Sequence, residues 1–240
     1  MKSEITHRGG ATTEDSYDGL PIHAAKGVHG AIEGLLRARL PAAASVADIG
    51  AGSGALSQRL FDAGFKVSAF DMERNDWQAA EVECHPCNAN ESLDAIAPYG
   101  PFDAICAVEI IEHLENPSRF LRELVALGRE RRAWLVITTP NPLDTFSAIA
   151  MLRRGIFNWF SPQHYAGGGH ISILPYWLID EHLKHLGVTG QQWQFLAPYC
   201  HPKWAMRLIY RALSFIRAMV SPGGRHPYFE GATALVIVRL

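Results

Sequence analysis

At 240 residues, with 48% apolar side chains and a formal net charge of −2, the chain has enough material for one generous folded domain and too much apolar content to be disordered throughout. No run approaches the roughly 18 apolar residues that cross a bilayer, and Met1-Lys2-Ser3-Glu4 is too polar to open a secretory signal, so a cytoplasmic protein is expected. Charge is uneven: residues 1–144 hold 21 acids and 13 Lys/Arg, whereas residues 145–229 hold 8 Lys/Arg and only Asp180 and Glu181, which points the latter segment toward an anionic partner such as a membrane surface, a phosphorylated substrate or nucleic acid.

Residues 1–22 are polar and glycine-rich at their start and are expected to be mobile, with a single domain over 23–240. From His23 to Leu40, the residues Val28, Ile32, Leu35, Leu36 and Leu40 recur at helical spacing, and Pro41 ends the pattern. Lys26 and His29 are the residues of this helix placed to reach a neighbouring cleft. Val46–Ile49 reads as a strand, Gly50-Ala51-Gly52-Ser53-Gly54 as a turn, and Ala55–Ala63 as a helix closed by Gly64. A second strand, Lys66–Phe70, ends in Asp71. That order builds a nucleotide-shaped cleft at the carboxyl edge of a parallel sheet. Alternate glycines let the backbone turn tightly and let a ligand approach it, and Asp71 is placed to accept from a ribose diol.

Gly50, Gly52 and Ala55 also satisfy the loose dinucleotide fingerprint G-x-G-x-x-G/A, a weak signal by itself. Asp48 separates the ligand classes. Beside a pyrophosphate its carboxylate would repel in a site that should attract anions, whereas beside an ammonium and a sulfonium it is tolerated or useful. Asp48-x-Gly50-x-Gly52-x-Gly54 resembles the first motif of the class I S-adenosylmethionine-dependent methyltransferases. The resemblance implies S-adenosylmethionine as cofactor, held by Asp48, Gly50, Gly52, Gly54, Asp71, Met72, Asn88, Ala89 and Glu109.

Val82–Cys87 is a plausible third strand and leads to Asn88-Ala89-Asn90-Glu91-Ser92-Leu93. The family often carries D-L-N-x-x-L here, its acid binding the adenine amino group. Asn88 stands in that place, where an amide oxygen can still accept; a helix N-cap at Asn88 or Asn90 is the competing reading. Cys84-His85-Pro86-Cys87 has zinc-like spacing but no second pair beyond Cys200-His201, so buried thiols are expected. Phe102–Val108 reads as a buried fourth strand, Asn116-Pro117 as the start of a helix over Ser118–Leu127, and Trp134–Thr138 as a fifth strand ending in Thr139-Pro140-Asn141-Pro142. A helix from Pro175 to Gly187 and strands near Gln192–Leu196 and Ala232–Val238 complete an alternation that indicates an α/β, doubly wound sheet. The resemblance implies the class I methyltransferase fold, a Rossmann-like seven-stranded sheet with a C-terminal antiparallel strand.

Glu109-Ile110-Ile111-Glu112-His113-Leu114 follows the fourth strand on the ligand edge. As the first turn of a helix it would bring Glu109, Glu112 and His113 to one face. E-x-x-E-H followed by T-P-N, a histidine and a helix ending in Gly resembles two subfamilies, the ubiquinone-biosynthesis O-methyltransferases and the Hen-type small-RNA 2′-O-methyltransferases. That resemblance covers roughly residues 28–188. It implies a divalent cation, Mg²⁺ or Mn²⁺, on Glu109, Glu112, His113 and His170, with His164 as the alternative to His170. A metal-free reading makes Glu109, His113 and His170 catalytic, a histidine serving as general base. A purely structural role is the third possibility.

Insertions are expected at about 143–170 and 198–229. The connection over 143–169 is rich in aromatics across Leu143–Tyr165 and ends in Gly167-Gly168-Gly169, suiting a lid over an acceptor site or a helix-plus-loop decoration packed on the domain. Residues 203–220 form a basic amphipathic helix with Lys203, Arg207 and Arg211 along one side. It reads as a helix packed on the sheet, or as one at the inner face of an anionic membrane; a phosphate or RNA contact is the third option. A pI near 6.6 argues against nucleic acid as the general partner. The expected activity is methyl transfer to a hydroxyl of a small, lipid-like or glycosylated metabolite. RNA 2′-O-methylation and a non-catalytic, cofactor-binding relative are the alternatives.

Overall fold

The computed structural model describes residues 16–73, 75–198, 204–222, 224 and 226–240. In chain order it comprises β1 (Ser16–Tyr17), β2 (Leu20–Pro21), α1 (Val28–Arg37), β3 (Ser45–Ile49), α2 (Ala55–Asp62), β4 (Lys66–Asp71) and β5 (Cys84–Pro86). There follow β6 (Ala104–Val108), α3 (Pro117–Arg129), β7 (Trp134–Pro140), α4 (Thr145–Arg154), α5 (Pro162–Gly168), α6 (Tyr176–His185), β8 (Gln192–Pro198), α7 (Trp204–Val220) and β9 (Gly231–Arg239).

Among the described residues, seven strands form one sheet in the order β5-β4-β3-β6-β7-β9-β8. All neighbours are parallel except at β9, which runs antiparallel to both β7 and β8. This is the seven-stranded class I arrangement with its C-terminal antiparallel strand. The chain grows outward from β3 through β4 to β5, then returns to β6 on the other side of β3. Strand order therefore reverses between β3 and β6, and a crevice must open at their carboxyl ends.

Side-chain alternation along the strands divides the core. Ala47, Ile49, Ile105, Ala107, Leu135 and Ile137 point to one face, where Phe120, Leu121 and Leu124 of α3 and Ile179 and Leu183 of α6 cover them. Val46, Ala104, Cys106, Val136 and Ile237 point to the other, under Val28, Ile32 and Leu36 of α1 and Leu56 and Leu60 of α2. Asp48 shares the second face, so its carboxylate points toward α2 and not into solvent.

Several boundaries differ from expectation for identifiable reasons. The expected mobile segment over 1–22 is ordered in its described part: Ser16–Pro21 forms a hairpin, and Leu20 and Ile22 join the core. Residues 1–15 lie outside the described residues, as do Cys200, His201 and Lys203. The first helix begins at Val28 and not at His23, because Gly27 takes a left-handed φ of 83° that ends irregular backbone over the crevice. The 143–170 insertion is no open loop: Asp144 caps α4 and Ser161 caps α5, each side chain accepting a backbone N–H of the first turn. Cys84, Cys87 and Cys106 are buried and form no disulfide, and burial pushes the Cys87 thiol up to about 11.

Candidate active site

The crevice is a cavity of about 640 Å³, within the range that suits a small ligand. Its floor is the turn after β3. Gly50 has φ 77° and Gly54 φ 88°, conformations that glycine adopts without strain. The Gly50 and Ala51 N–H groups donate to the Phe70 carbonyl at 2.8 and 3.2 Å, and the Gly52 N–H donates to Asp71 Oδ2 at 2.8 Å. Asp71 also accepts from the Glu73 N–H at 2.9 Å. It thus locks the turn to β4 while keeping lone pairs for a diol.

Asp48 lies beneath the turn and lines the cavity. The Ser57 hydroxyl donates to it at 2.6 Å. Burial nonetheless pushes its carboxyl up to about 6, with the Asp71 charge adding to the rise. A cationic ligand overhead would draw it back toward the charged form. Met72 and Asn88 line a neighbouring recess of about 380 Å³, while Ala89 is buried beside it. The Asn88 side chain is engaged locally, its Oδ1 accepting the Asn90 N–H at 3.0 Å and its Nδ2 donating to Glu91 at 2.9 Å. No helix follows Asn88 or Asn90 there; the amide closes a turn.

The acidic-histidine turn does not fold as the start of an α-helix. Glu109 has φ 49°, and only Ile111–His113 forms a short 3-10 turn. The i, i+3, i+4 face is therefore lost. Glu109 lines the cavity and accepts from the Thr138 hydroxyl at 2.8 Å; burial pushes its carboxyl up to about 7. Glu112 is fully buried, with Oε2 accepting from the Thr139 hydroxyl at 3.0 Å and Oε1 lacking a partner. Burial, reinforced by the Glu109 charge, drives its carboxyl well up.

His113 faces the cavity next to His170, with ring centroids 4.7 Å apart and planes at 84°. Burial and then the His170 ring hold its pKa down. His170 arrives from the segment after α5, which is fastened to the turn: Ile171 and Ser172 donate their N–H groups to the Glu112 carbonyl at 3.0 and 2.9 Å. Its Nδ1 lies 2.9 Å from the Trp159 carbonyl. A carbonyl only accepts, so Nδ1 carries the proton. One potential ligand atom from each of Glu112, His113 and His170 lies within 4.8 Å of the other two. Glu109 is outside that group, and His164 lines the cavity hydrogen-bonded to Ser161 at 2.7 Å.

Residues that sequence reasoning gave little weight also build the site. Thr138 and Thr139 position the two carboxylates, and Trp159 orients His170. His29 lines the cavity, buried, its Nδ1 without a partner; burial and the Arg59 guanidinium hold it down to about 4. Lys26 is exposed and off the cavity wall. The consecutive threonines at the carboxyl end of a strand were the available signal for the first pair.

A family model described as a methyltransferase domain matches residues 25–219. The ubiquinone biosynthesis O-methyltransferase of Caulobacter sp. (strain K31) is 33% identical over 130 residues, 48% of this chain and 48% of that protein. Its counterpart from Xanthomonas axonopodis pv. citri (strain 306) is 27% identical over 187 residues, 72% of this chain and 76% of that one. The chain spans about half the length of the Caulobacter relatives it matches. A SAM dependent methyltransferase from Archaeoglobus fulgidus superposes with a TM-score of 0.59 at 17% identity, over 88% of this chain and 94% of that one, a likeness of fold. With the family model covering most of the chain and the sheet reversing at the glycine turn, the chain belongs to the methyltransferase domain family and has the class I methyltransferase fold.

Proposed function

We propose that this chain moves a methyl group from S-adenosylmethionine to a hydroxyl oxygen of a small, lipid-like or glycosylated metabolite. The observation that carries this reading is the meeting of Glu112, His113 and His170, whose two histidines line the same cavity as the glycine turn. In the proposed site Gly50, Gly52 and Gly54 shape the cofactor turn, Asp48 faces its cationic end, Asp71 takes the ribose, and Met72, Asn88 and Ala89 border the adenine. Transfer requires the acceptor oxygen in line with the sulfonium methyl, about 3–3.5 Å from its carbon. As the oxygen–carbon bond forms and the carbon–sulfur bond breaks, the hydroxyl proton must leave. An amine acceptor needs less help of this kind, which is why these residues favour oxygen.

The donor set suits a divalent cation. Two imidazoles, that of His113 held toward neutral by burial, and a carboxylate with an unpartnered buried oxygen match what Mg²⁺ or Mn²⁺ accepts, manganese better than magnesium given two nitrogens. Glu112, His113 and His170 would hold it, and Glu109 would stand toward the cofactor. A cation bound there lowers the cost of ionising the acceptor hydroxyl. Without one, His170, which lines the cavity and whose tautomer the Trp159 carbonyl fixes, is the base.

The test combines calorimetry with S-adenosylhomocysteine and methyl transfer from labelled S-adenosylmethionine to a catechol or a short RNA. We expect binding heat, catechol labelling, and a loss of about a hundredfold or more in His170→Ala. Binding of a dinucleotide in place of S-adenosylhomocysteine would sink the cofactor assignment, and labelling of the RNA alone would move the acceptor to ribose. Manganese should raise the melting temperature of the wild type but not of Glu112→Gln. Equal response of the two proteins would remove the cation and leave the base.

A further inference from the structure

Helix α7 is turned inside out. Its polar side chains face the domain: Ser214 is buried, the Tyr210 hydroxyl donates to the Phe229 carbonyl at 3.3 Å, and Arg217 Nη1 donates to the Leu143 carbonyl at 2.8 Å. The Arg217 guanidinium also sits 4.0 Å over the Phe229 ring. Apolar side chains face away. Trp204, Phe215, Met219 and Val220 are 73%, 66%, 71% and 76% exposed, and Ile209 and Ile216 are at least half exposed. An amphipathic helix ordinarily buries the opposite side. At 100° per residue these six positions share one broad face, and Leu152 is exposed on α4, which packs beside α7. Contiguous apolar exposure of this kind marks a contact surface, unlike single exposed leucines.

Charge selects the occupant. Arg207 and Arg211 are exposed along one edge of the apolar face, and Arg153 and Arg154 are exposed at the end of α4. No acid lies between Glu181 and Glu230. A second copy docking through the same face would bring arginines together with no carboxylate of the segment to neutralise them. An anionic bilayer offers acyl chains to the apolar side chains and phosphates to the arginines. We propose that α7 and the end of α4 seat this domain on an anionic lipid surface, with α7 lying in the interface plane. None of the described helices is long and apolar enough to cross a membrane.

The full chain sedimented with vesicles of phosphatidylcholine, or of equal parts phosphatidylcholine and phosphatidylglycerol, tests this. The expected result is partition into the anionic vesicles, weakened by salt, with far less on phosphatidylcholine alone. Each arginine at such a surface contributes about fivefold, so R207Q/R211Q should lose roughly twentyfold. I209Q/F215Q/M219Q should abolish sedimentation. Those side chains point outward, so circular dichroism should be unchanged, a fold control that does not depend on methyl transfer. Partition of that triple variant equal to wild type would overturn the proposal, as would failure of the wild type to bind anionic vesicles. So would a dimer in sedimentation velocity that the triple variant dissolves, because the occupant would then be a second copy.

Discussion

Gly50 shows how a single backbone position fixes the site. Its φ of 77° is left-handed, and a Cβ there would stand 2.5 Å from Ile110 Cδ1. Gly64 is also left-handed, at φ 92°, but a Cβ would meet nothing within 4 Å. Gly50→Ala should therefore cost about 1–3 kcal/mol of stability and most of the S-adenosylhomocysteine affinity. Gly64→Ala should show the backbone strain alone and bind normally. Urea denaturation and calorimetry on the two variants separate strain from site damage. The glycine spacing, Asp48 and Asp71 were legible in the sequence because one short segment contains both the turn and its chemistry. Asn88 was harder. Its position could be read, but not that its amide is committed to Asn90 and Glu91, because that depends on a turn without an extended pattern.

Helices and strands follow the sequence where periodicity is strong, as in α2, α3, β6 and β7. They depart where one residue breaks the pattern. The positive φ of Glu109 converted an expected helical turn into a sharp reversal and left Glu109 outside the Glu112–His113–His170 group. A helix-plus-loop decoration is one reading of 143–170, but the bounds of α4 and α5 are not legible because their starting signals, Asp144 and Ser161, sit in a run rich in aromatics. Asn141 carries the element-scale prediction. Its Nδ2 donates to the Tyr228 and Gly231 carbonyls at 2.8 and 2.7 Å, and its Oδ1 accepts the Leu143 N–H at 3.0 Å. It stitches the end of β7 to the start of β9 and to the lead into α4. Asn141→Ala should lose about 2–3 kcal/mol, near 1 kcal/mol per bond, measured by chemical denaturation. An unchanged midpoint would show that water replaces those bonds.

Packing of the whole domain sets its response to pH. Burial raises Asp48 to about 6 and Asp144, at the start of α4, to about 7, in the latter case outweighing the Ser147 donors and Arg217. Each carboxyl keeps a proton in the folded state that the unfolded chain releases near pH 4. Stability therefore falls as pH rises from about 4 through those values, by up to about 1.4 kcal/mol per pH unit for each proton retained. His29, held down to about 4, acts in the opposite sense: the unfolded chain holds a proton that the folded one lacks, so stability rises from about 4 to the usual histidine range. Denaturation midpoints of the unliganded protein at stepped pH should show a steeper fall in His29→Gln and a shallower one in Asp48→Asn. Parallel profiles for the three proteins would mean that water reaches both buried groups.

The chain by itself determined what short-range physics controls: the alternation of strands and helices, the left-handed glycines of the turn, the acid at the end of the second strand, and hence the cofactor class. Tertiary structure decided what depends on segments far apart in sequence. His170 meets His113 across 57 positions because Ile171 and Ser172 bond the Glu112 carbonyl. The orphaned oxygen of Glu112 exists only because the sheet and α3 exclude water around it. The apolar face of α7 was visible as a pattern, but its direction was not. Periodicity shows that a helix has two faces, and only the anchors supplied by Leu143 and Phe229 determine which one turns outward.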